Sequence, residues 1–197
     1  MTEKRKPNVI VFFTDQQRWD TTGVHGNPLG LTPNFDRMAR TGTDVHYSFT
    51  CQPVCGPARA CLQTGRYATN TGVFRNGIVP DPTLETLAKS FRAGGYATGY
   101  IGKWHLGDAD PVPVAQRAGY DFWLAANLLE FTSDVYDTLV YNTEGQPVKL
   151  PGYRVDALTD AAIRYIDGHQ ADPFFLFISY LEPHHQNHLD DYPPPVG

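Results

Sequence analysis

The 197-residue sequence contains no apolar run near the ~20 residues that a membrane-spanning helix needs, so no membrane partner is expected. It also lacks a basic excess. Sixteen Lys and Arg stand against twenty-one Asp and Glu, for a net charge of -5 and a pI near 5.7. That balance excludes a strongly basic nucleic-acid binder. Cysteine is scarce, and an odd count of three without a secretion signal points to free thiols rather than a disulfide framework. The opening MTEKRK is basic, but the apolar stretch at 9–13 is too short for a signal peptide and runs into Asp15. A cytoplasmic location is therefore the expectation. Internal repeats and low-complexity tracts are absent too. With 41% hydrophobic, 13% aromatic and 19% charged residues, the chain can build a core, which argues against disorder. Its length suits one domain.

What is present is a rhythm of strand and then helix. Residues 8–14 (NVIVFFT) form an unbroken β-branched and aromatic run, the pattern of a strand buried on both faces. Thr32-Pro33 reads as N-cap and first helical residue, with Phe35, Met38 and Ala39 as an apolar stripe and Gly42 as the stop. A second helix is predicted after Gly56-Pro57, ending near Gly65. A third is predicted over 83–93, with Leu84, Leu87, Ala88 and Phe91 on one face. A fourth is predicted over 154–167, with Val155, Leu158, Ala162 and Ile166 inward. Residues 96–101 and 174–181 (FFLFISYL) read as further strands. The alternation implies an α/β fold, a mostly parallel sheet with helices on both faces. Residues 109–152 carry Pro111, Pro113, Pro147 and Pro151 among several aromatics, and read as an irregular insertion or lid.

In open α/β sheets, ligands bind beyond the carboxyl ends of the strands. Asp15, Gln16 and Gln17 follow the first strand; Lys103 and His105 follow the next; Glu182, His184 and His185 follow the last. Each alone has an ordinary role, as a turn cap, a solvated loop residue or a surface cation. Together they describe an anion-binding, metal-assisted site. Cys55, in CGPAR, stands where a helix is predicted to begin. Unpaired N–H groups and the helix dipole favour negative charge there, which suits a nucleophile or an oxyanion. Arg59 lies four residues on, close to the same face. The other reading of Cys55 is a small buried hydrophobe. A zinc site of Cys51, Cys55 and Cys61 fits poorly. The spacings are not paired C-x₂-C, and Cys55 and Cys61 fall about 240° apart at ~100° per residue.

Two segments resemble the type I sulfatases of the alkaline-phosphatase-like fold. PVCGPARACLQTG, at 53–65, resembles the signature around the cysteine that is oxidised to formylglycine, with Cys55, Pro57, Arg59 and Gly65 in place. Gln63 departs from it, where an apolar residue is usual. GYATGYIGKWH, at 95–105, is similar to the family's second signature at every position. The resemblance implies that Asp15 is a metal-binding aspartate. Gln16 stands where many relatives have a second one, and hard cations accept amide oxygens, so Ca²⁺ or Mg²⁺ is implied. Cys55, as formylglycine, would be the nucleophile and join the metal site. Arg59 would hold its hydrate. Lys103 and His105, two apart on a strand end and facing the same way, would grip the sulfate and assist the leaving group or the hydrate. His184, in YLEPHHQNH, would contribute to sulfate binding and acid catalysis, with His185 and His188 as neighbours. The hydrate has two hydroxyls on one carbon: one attacks sulfur, the other expels sulfate. Because a sulfate ester is an anion, the metal, Arg59, Lys103 and the helix start must neutralise it first.

Full-length members of that family are considerably longer and bring a second acidic pair and another lysine from later strands. After Leu189 this sequence offers only Asp190 and Asp191. The chain is thus expected to be the N-terminal part of a sulfatase catalytic domain, incomplete in its sheet, partnered by a missing C-terminal segment and inactive alone. Such a sheet would expose a hydrophobic edge. The implied substrate is a small-molecule or carbohydrate sulfate ester. A phosphonate or phosphate monoester hydrolase of the same superfamily and a non-catalytic anion-binding remnant are the alternatives. A redox thiol at Cys55 lacks a C-x-x-C partner.

Overall fold

A computed structural model describes residues 6–185; His188, Asp190 and Asp191 lie outside the described residues. Six strands form one sheet in the order β1-β6-β2-β3-β4-β5. They are β1 Val9–Phe13, β2 Ala97–Lys103, β3 Phe122–Ala126, β4 Asp137–Tyr141, β5 Pro147–Pro151 and β6 Phe174–Ser179. β1, β6, β2 and β3 run parallel, whereas β4 pairs antiparallel with β3 and β5 antiparallel with β4. The helices are α1 Pro33–Thr41, α2 Cys55–Thr64, α3 Ala68–Thr71, α4 Leu87–Ala93, α5 Leu129–Thr132 and α6 Arg154–Gly168. No described helix is long and apolar enough to cross a membrane.

Alternation along the strands sorts the core onto two faces. Tyr100, Trp123, Phe175 and Phe177 pack with Ala60 of α2 and Ala88 of α4. On the other face Ile101, Leu176 and Ile178 pack with Leu158, Ala162 and Tyr165 of α6. Each such aromatic or aliphatic side chain contributes roughly 1.5–3 kcal/mol on burial. At Gly102, where φ is 105°, a Cβ would fall 2.0 Å from the Ser179 carbonyl oxygen. Only glycine lets β2 pair with β6 at that point, two residues before the functional loop.

Several local expectations need correction, each for a tertiary reason. β1 is not buried on both faces: Val9, Val11 and Phe13 pack inward, but Ile10 is 47% and Phe12 65% exposed. β1 is an edge strand, and α6 lies over β2, β4 and β5 instead. α1 has the predicted bounds, yet Phe35 and Met38 are exposed and Asp36 is buried. The Asp36 carboxylate accepts the Val24 N–H at 2.9 Å and the Thr32 hydroxyl at 3.0 Å, so the helix is anchored by polar contacts. α4 starts at Leu87 rather than 83, because the Leu84 N–H turns back onto the Asp81 carbonyl and Thr86 caps the helix. Finally, residues 109–152 are no irregular insertion. They supply β3, β4, β5 and α5, with Pro147 and Pro151 as the end residues of the edge strand β5, where a missing N–H is tolerated.

Candidate active site

Because β6 enters between β1 and β2, three strand ends stand side by side. Asp15 follows β1, Ser179 closes β6 and Lys103 closes β2. Arg59, from the middle of α2, reaches all three. Its Nη2 donates to Asp15 Oδ2 at 3.2 Å, and its Nη1 donates to the Lys103 carbonyl at 2.9 Å and to Ser179 Oγ at 2.8 Å. Lys103 Nζ lies 2.8 Å from both Asp15 Oδ2 and Glu130 Oε1, the latter delivered by α5. The Tyr100 hydroxyl donates to the Lys103 carbonyl at 2.6 Å. Lys103 is fully buried and Arg59 is 4% exposed. Burial at this depth is tolerated because every charge has a partner.

The electrostatics follow from that packing. Burial alone would raise the Asp15 carboxyl, but Arg59 and then Lys103 outweigh it and hold it below the ordinary carboxylate value. His105 lies just beyond β2, with φ 60°. It therefore does not share the strand-face relation with Lys103 that its two-residue spacing implies. Burial first, and the Lys103 charge second, push His105 down to about 4, leaving a neutral imidazole at pH 7. Its Nδ1 is buried without a hydrogen-bond partner among the described residues.

Cys55 is the first residue of α2, and the next N–H, that of Gly56, donates to Asn76 Oδ1 at 2.8 Å. Asp15, Gln16, Cys55, Arg59 and His184 line one cleft of about 1020 Å³, together with residues 48–51. Lys103 and His105 are outside that lining, so Lys103 acts on the cleft through Asp15. His184 is half-buried, its Nδ1 2.7 Å from the His185 carbonyl, and its charge lowers Asp15 further. Glu182 stands apart from the cluster: Arg154 of α6 takes it through Nε at 2.9 Å and Nη2 at 2.8 Å. Cys51 and Cys61 face each other, Sγ to Sγ 2.9 Å, and burial together with Cys51 pushes Cys61 up to about 11. That pairing separates them from Cys55.

Three members of the site escape sequence reasoning. Ser179 ends a strand, so the rule that finds Lys103 would also find it. Asn76 and Glu130 have no comparable signal: both sit in stretches without clear periodicity.

The family model for sulfatases matches residues 7–196. The chain belongs to the sulfatase family. An ulvan-active sulfatase of Formosa agariphila is 34% identical over 188 residues, covering 92% of this chain and 36% of that protein. A protein solved in complex with its substrate D-glucosamine-2-N,6-O-disulfate superposes with a TM-score of 0.82 at 30% identity, over 92% of this chain and 35% of that one. A phosphonate monoester hydrolase of Agrobacterium radiobacter superposes with a TM-score of 0.66 at 26% identity, over 91% of this chain and 42% of that one. This sulfatase chain thus spans little more than a third of the length of the first relative. Its sheet has the alkaline-phosphatase-like fold that these sulfatases and phosphonate hydrolases share.

The donor set of the cluster fits a hard cation in part. Both Arg59 and Lys103 engage Asp15 Oδ2, and Oδ1 takes no hydrogen bond among the described residues. Gln16, on the same cleft wall with φ 53°, adds an amide oxygen. These are oxygen ligands of the kind Ca²⁺ and Mg²⁺ accept. Asp15 and Glu130 balance Arg59 and Lys103, so the buried cluster carries no net charge. An anionic ester brought to it needs further positive charge, which a divalent ion at Asp15 would provide.

Proposed function

We propose that the protein hydrolyses sulfate esters, with residue 55 as nucleophile and Ca²⁺ or Mg²⁺ held by Asp15, Gln16 and residue 55. The observation that carries this reading is the placement of Cys55. In a member of the sulfatase family, it opens α2 on the same cleft as Asp15, Arg59 and His184. As a formylglycine hydrate, residue 55 would supply an oxygen nucleophile and a second hydroxyl on the same carbon. A divalent ion would polarise a sulfuryl oxygen and offset the ester's charge. Water and substrate oxygens would add to these ligands, since Ca²⁺ takes 6–8 oxygens.

The protein's own residues then divide the remaining work. Arg59 and Lys103 keep Asp15 ionised and fixed, and Glu130 positions Lys103. The α2 start offers charge developing on residue 55 the positive end of the helix dipole, not free N–H groups, since the Gly56 N–H is taken by Asn76 and residue 57 is proline. His105, neutral and with an Nδ1 that has no partner among the described residues, is assigned the proton acceptor's part, although its ring stands outside the lining of the cleft. His184, on the cleft wall, can donate one to the departing alcohol. The substrate class is a carbohydrate or small-molecule sulfate ester.

A second reading, phosphonate monoester hydrolysis, is favoured by the phosphonate hydrolase that shares the fold. Turnover of matched aryl sulfate and aryl phosphonate substrates separates the two. The proposal expects the sulfate to be cleaved faster, and turnover to vanish in Cys55→Ala while the far-UV spectrum is unchanged. Faster phosphonate cleavage would retain the site but overturn the named reaction. Undiminished turnover in Cys55→Ala would remove residue 55 as nucleophile. Absence of all turnover, with an intact Cys55 thiol, would leave a non-catalytic anion-binding protein.

A further inference from the structure

Between β1 and α2 the chain makes two turns that the proposed reaction does not use. They bring His25, Asp44 and His46 together, with one ligand atom of each lying within 4.8 Å of the others. We propose that these three side chains form a second metal site, separate from Asp15, that takes a divalent ion of zinc's chemical class. Two imidazoles and a carboxylate make a nitrogen-and-oxygen set suited to Zn²⁺ and its neighbours, and unlike the all-oxygen set that Ca²⁺ or Mg²⁺ selects.

The geometry is that of a site with its first ligand pre-aligned. His25 Nε2 and Asp44 Oδ2 are 3.3 Å apart. Two ligands held at ~2.0–2.1 Å around a tetrahedral ion are separated by about 3.3 Å. On the far side of the ring, His25 Nδ1 lies 2.7 Å from Thr22 Oγ1. The Thr22 hydroxyl donates its one proton to the Trp19 carbonyl, at 3.1 Å. Nδ1 must therefore be the donor to Thr22, which fixes the tautomer and leaves Nε2 to face Asp44 with either a proton or a metal between them. An outer-sphere partner of this kind is what orients ligating histidines.

The frame behind His25 is rigid. Gly23 N–H donates to Thr32 Oγ1 at 3.0 Å and Val24 N–H donates to the buried Asp36, so the turn is bolted to α1. Trp19 stacks on His25 with ring centroids 4.2 Å apart and meets His46 edge-on at 5.4 Å. The His25 side chain is 7% exposed, whereas Asp44 and His46 are exposed residues. Because Asp44 and His46 are exposed, an ion held there would be open to water for its remaining position. The ion would tie the 44–46 segment to the 22–25 turn. Residues 48–50, which follow directly, line the cleft, so the ion would brace one cleft wall.

The test is calorimetric titration of ZnCl₂ into the chelator-stripped protein, followed in parallel by tryptophan fluorescence. One ion should bind with a fluorescence change that disappears in Trp19→Phe although the ion still binds. His46→Ala, a change at an exposed side chain, should remove that ion while Cys51→Ser and Asp15→Asn retain it. Thr22→Val should weaken it roughly 10- to 100-fold, the size expected for an outer-sphere partner. If His46→Ala binds as many ions as the parent with the same affinity, the assignment is overturned. It is equally overturned if the parent binds no Zn²⁺ beyond what Asp15→Asn or Cys51→Ser abolishes. His25 and Asp44 would then be a plain ion pair under an aromatic stack.

Discussion

β1 and β6 are nearly interchangeable as text, VIVFF against FFLFIS, yet they lead opposite lives. β6 is buried at all six residues, between β1 and β2. β1 shows every second residue to solvent on a face that no helix covers among the described residues. The same contrast continues beyond the strand ends. Below β6 and β2 lies the closed lattice of Arg59, Lys103, Ser179 and Glu130. Beyond β1 lies the open cleft, and Asp15 and Arg59 belong to both. Apolar content sets what a strand can bury; its place in the sheet order sets what it does bury. The proposed chemistry sits at the seam, where a buried charged cluster meets an accessible wall.

The sharpest break of this comparison is to remove charge from the closed side. Lys103→Met leaves two buried carboxylates without their shared cation and should lower unfolding free energy by about 3–5 kcal/mol in urea denaturation. A loss under about 1 kcal/mol would mean that the cluster is solvated rather than interlocked. Truncating an apolar residue on each strand sharpens the contrast. Phe175→Ala in β6, at 1% exposure, should also cost about 3–5 kcal/mol. Phe12→Ala in β1, at 65% exposure, should cost under about 1 kcal/mol. Equal costs would place β1 in a buried setting that the described residues do not supply.

A smaller effect is expected in acid. His105 has its folded-state value pushed down to about 4, below the ordinary value of 6.5. As pH falls from about 6.5 toward 4, the unfolded chain takes up a proton that the folded chain refuses, so stability declines across that window. His105→Asn should flatten that decline in denaturation measured from pH 7 to 4. Asp15 acts lower down: its contribution is full above the unfolded value of ~3.9 and is lost as pH falls through its depressed folded value. A decline unchanged by His105→Asn would assign the window to other groups.

How much of this could be read beforehand depends on how local the cause is. Thr32-Pro33, Gly42 and Gly65 mark helix ends through backbone chemistry that acts within one turn, and the structure places α1 and α2 accordingly. The strand-end rule finds Asp15, Lys103 and His184. It cannot show that β6, the last strand among the described residues, inserts between the first two, and that insertion joins Asp15, Ser179 and Lys103. Nor could 109–152 be resolved. Its strands are short, β4 pairs antiparallel with both its neighbours, and Glu130 is carried by a single turn of helix. The α1 stripe misleads for a related reason: Asp36 makes two hydrogen bonds on the inward face, while Phe35 and Met38 stay exposed.

Peptide mass spectrometry of the residue-55 segment, on protein purified in a form that hydrolyses an aryl sulfate, tests the proposed reaction most directly. A mass deficit matching conversion of the Cys55 thiol to an aldehyde is the predicted result. An unmodified thiol in protein that turns over sulfate would contradict it, and would move the nucleophile elsewhere in the cleft.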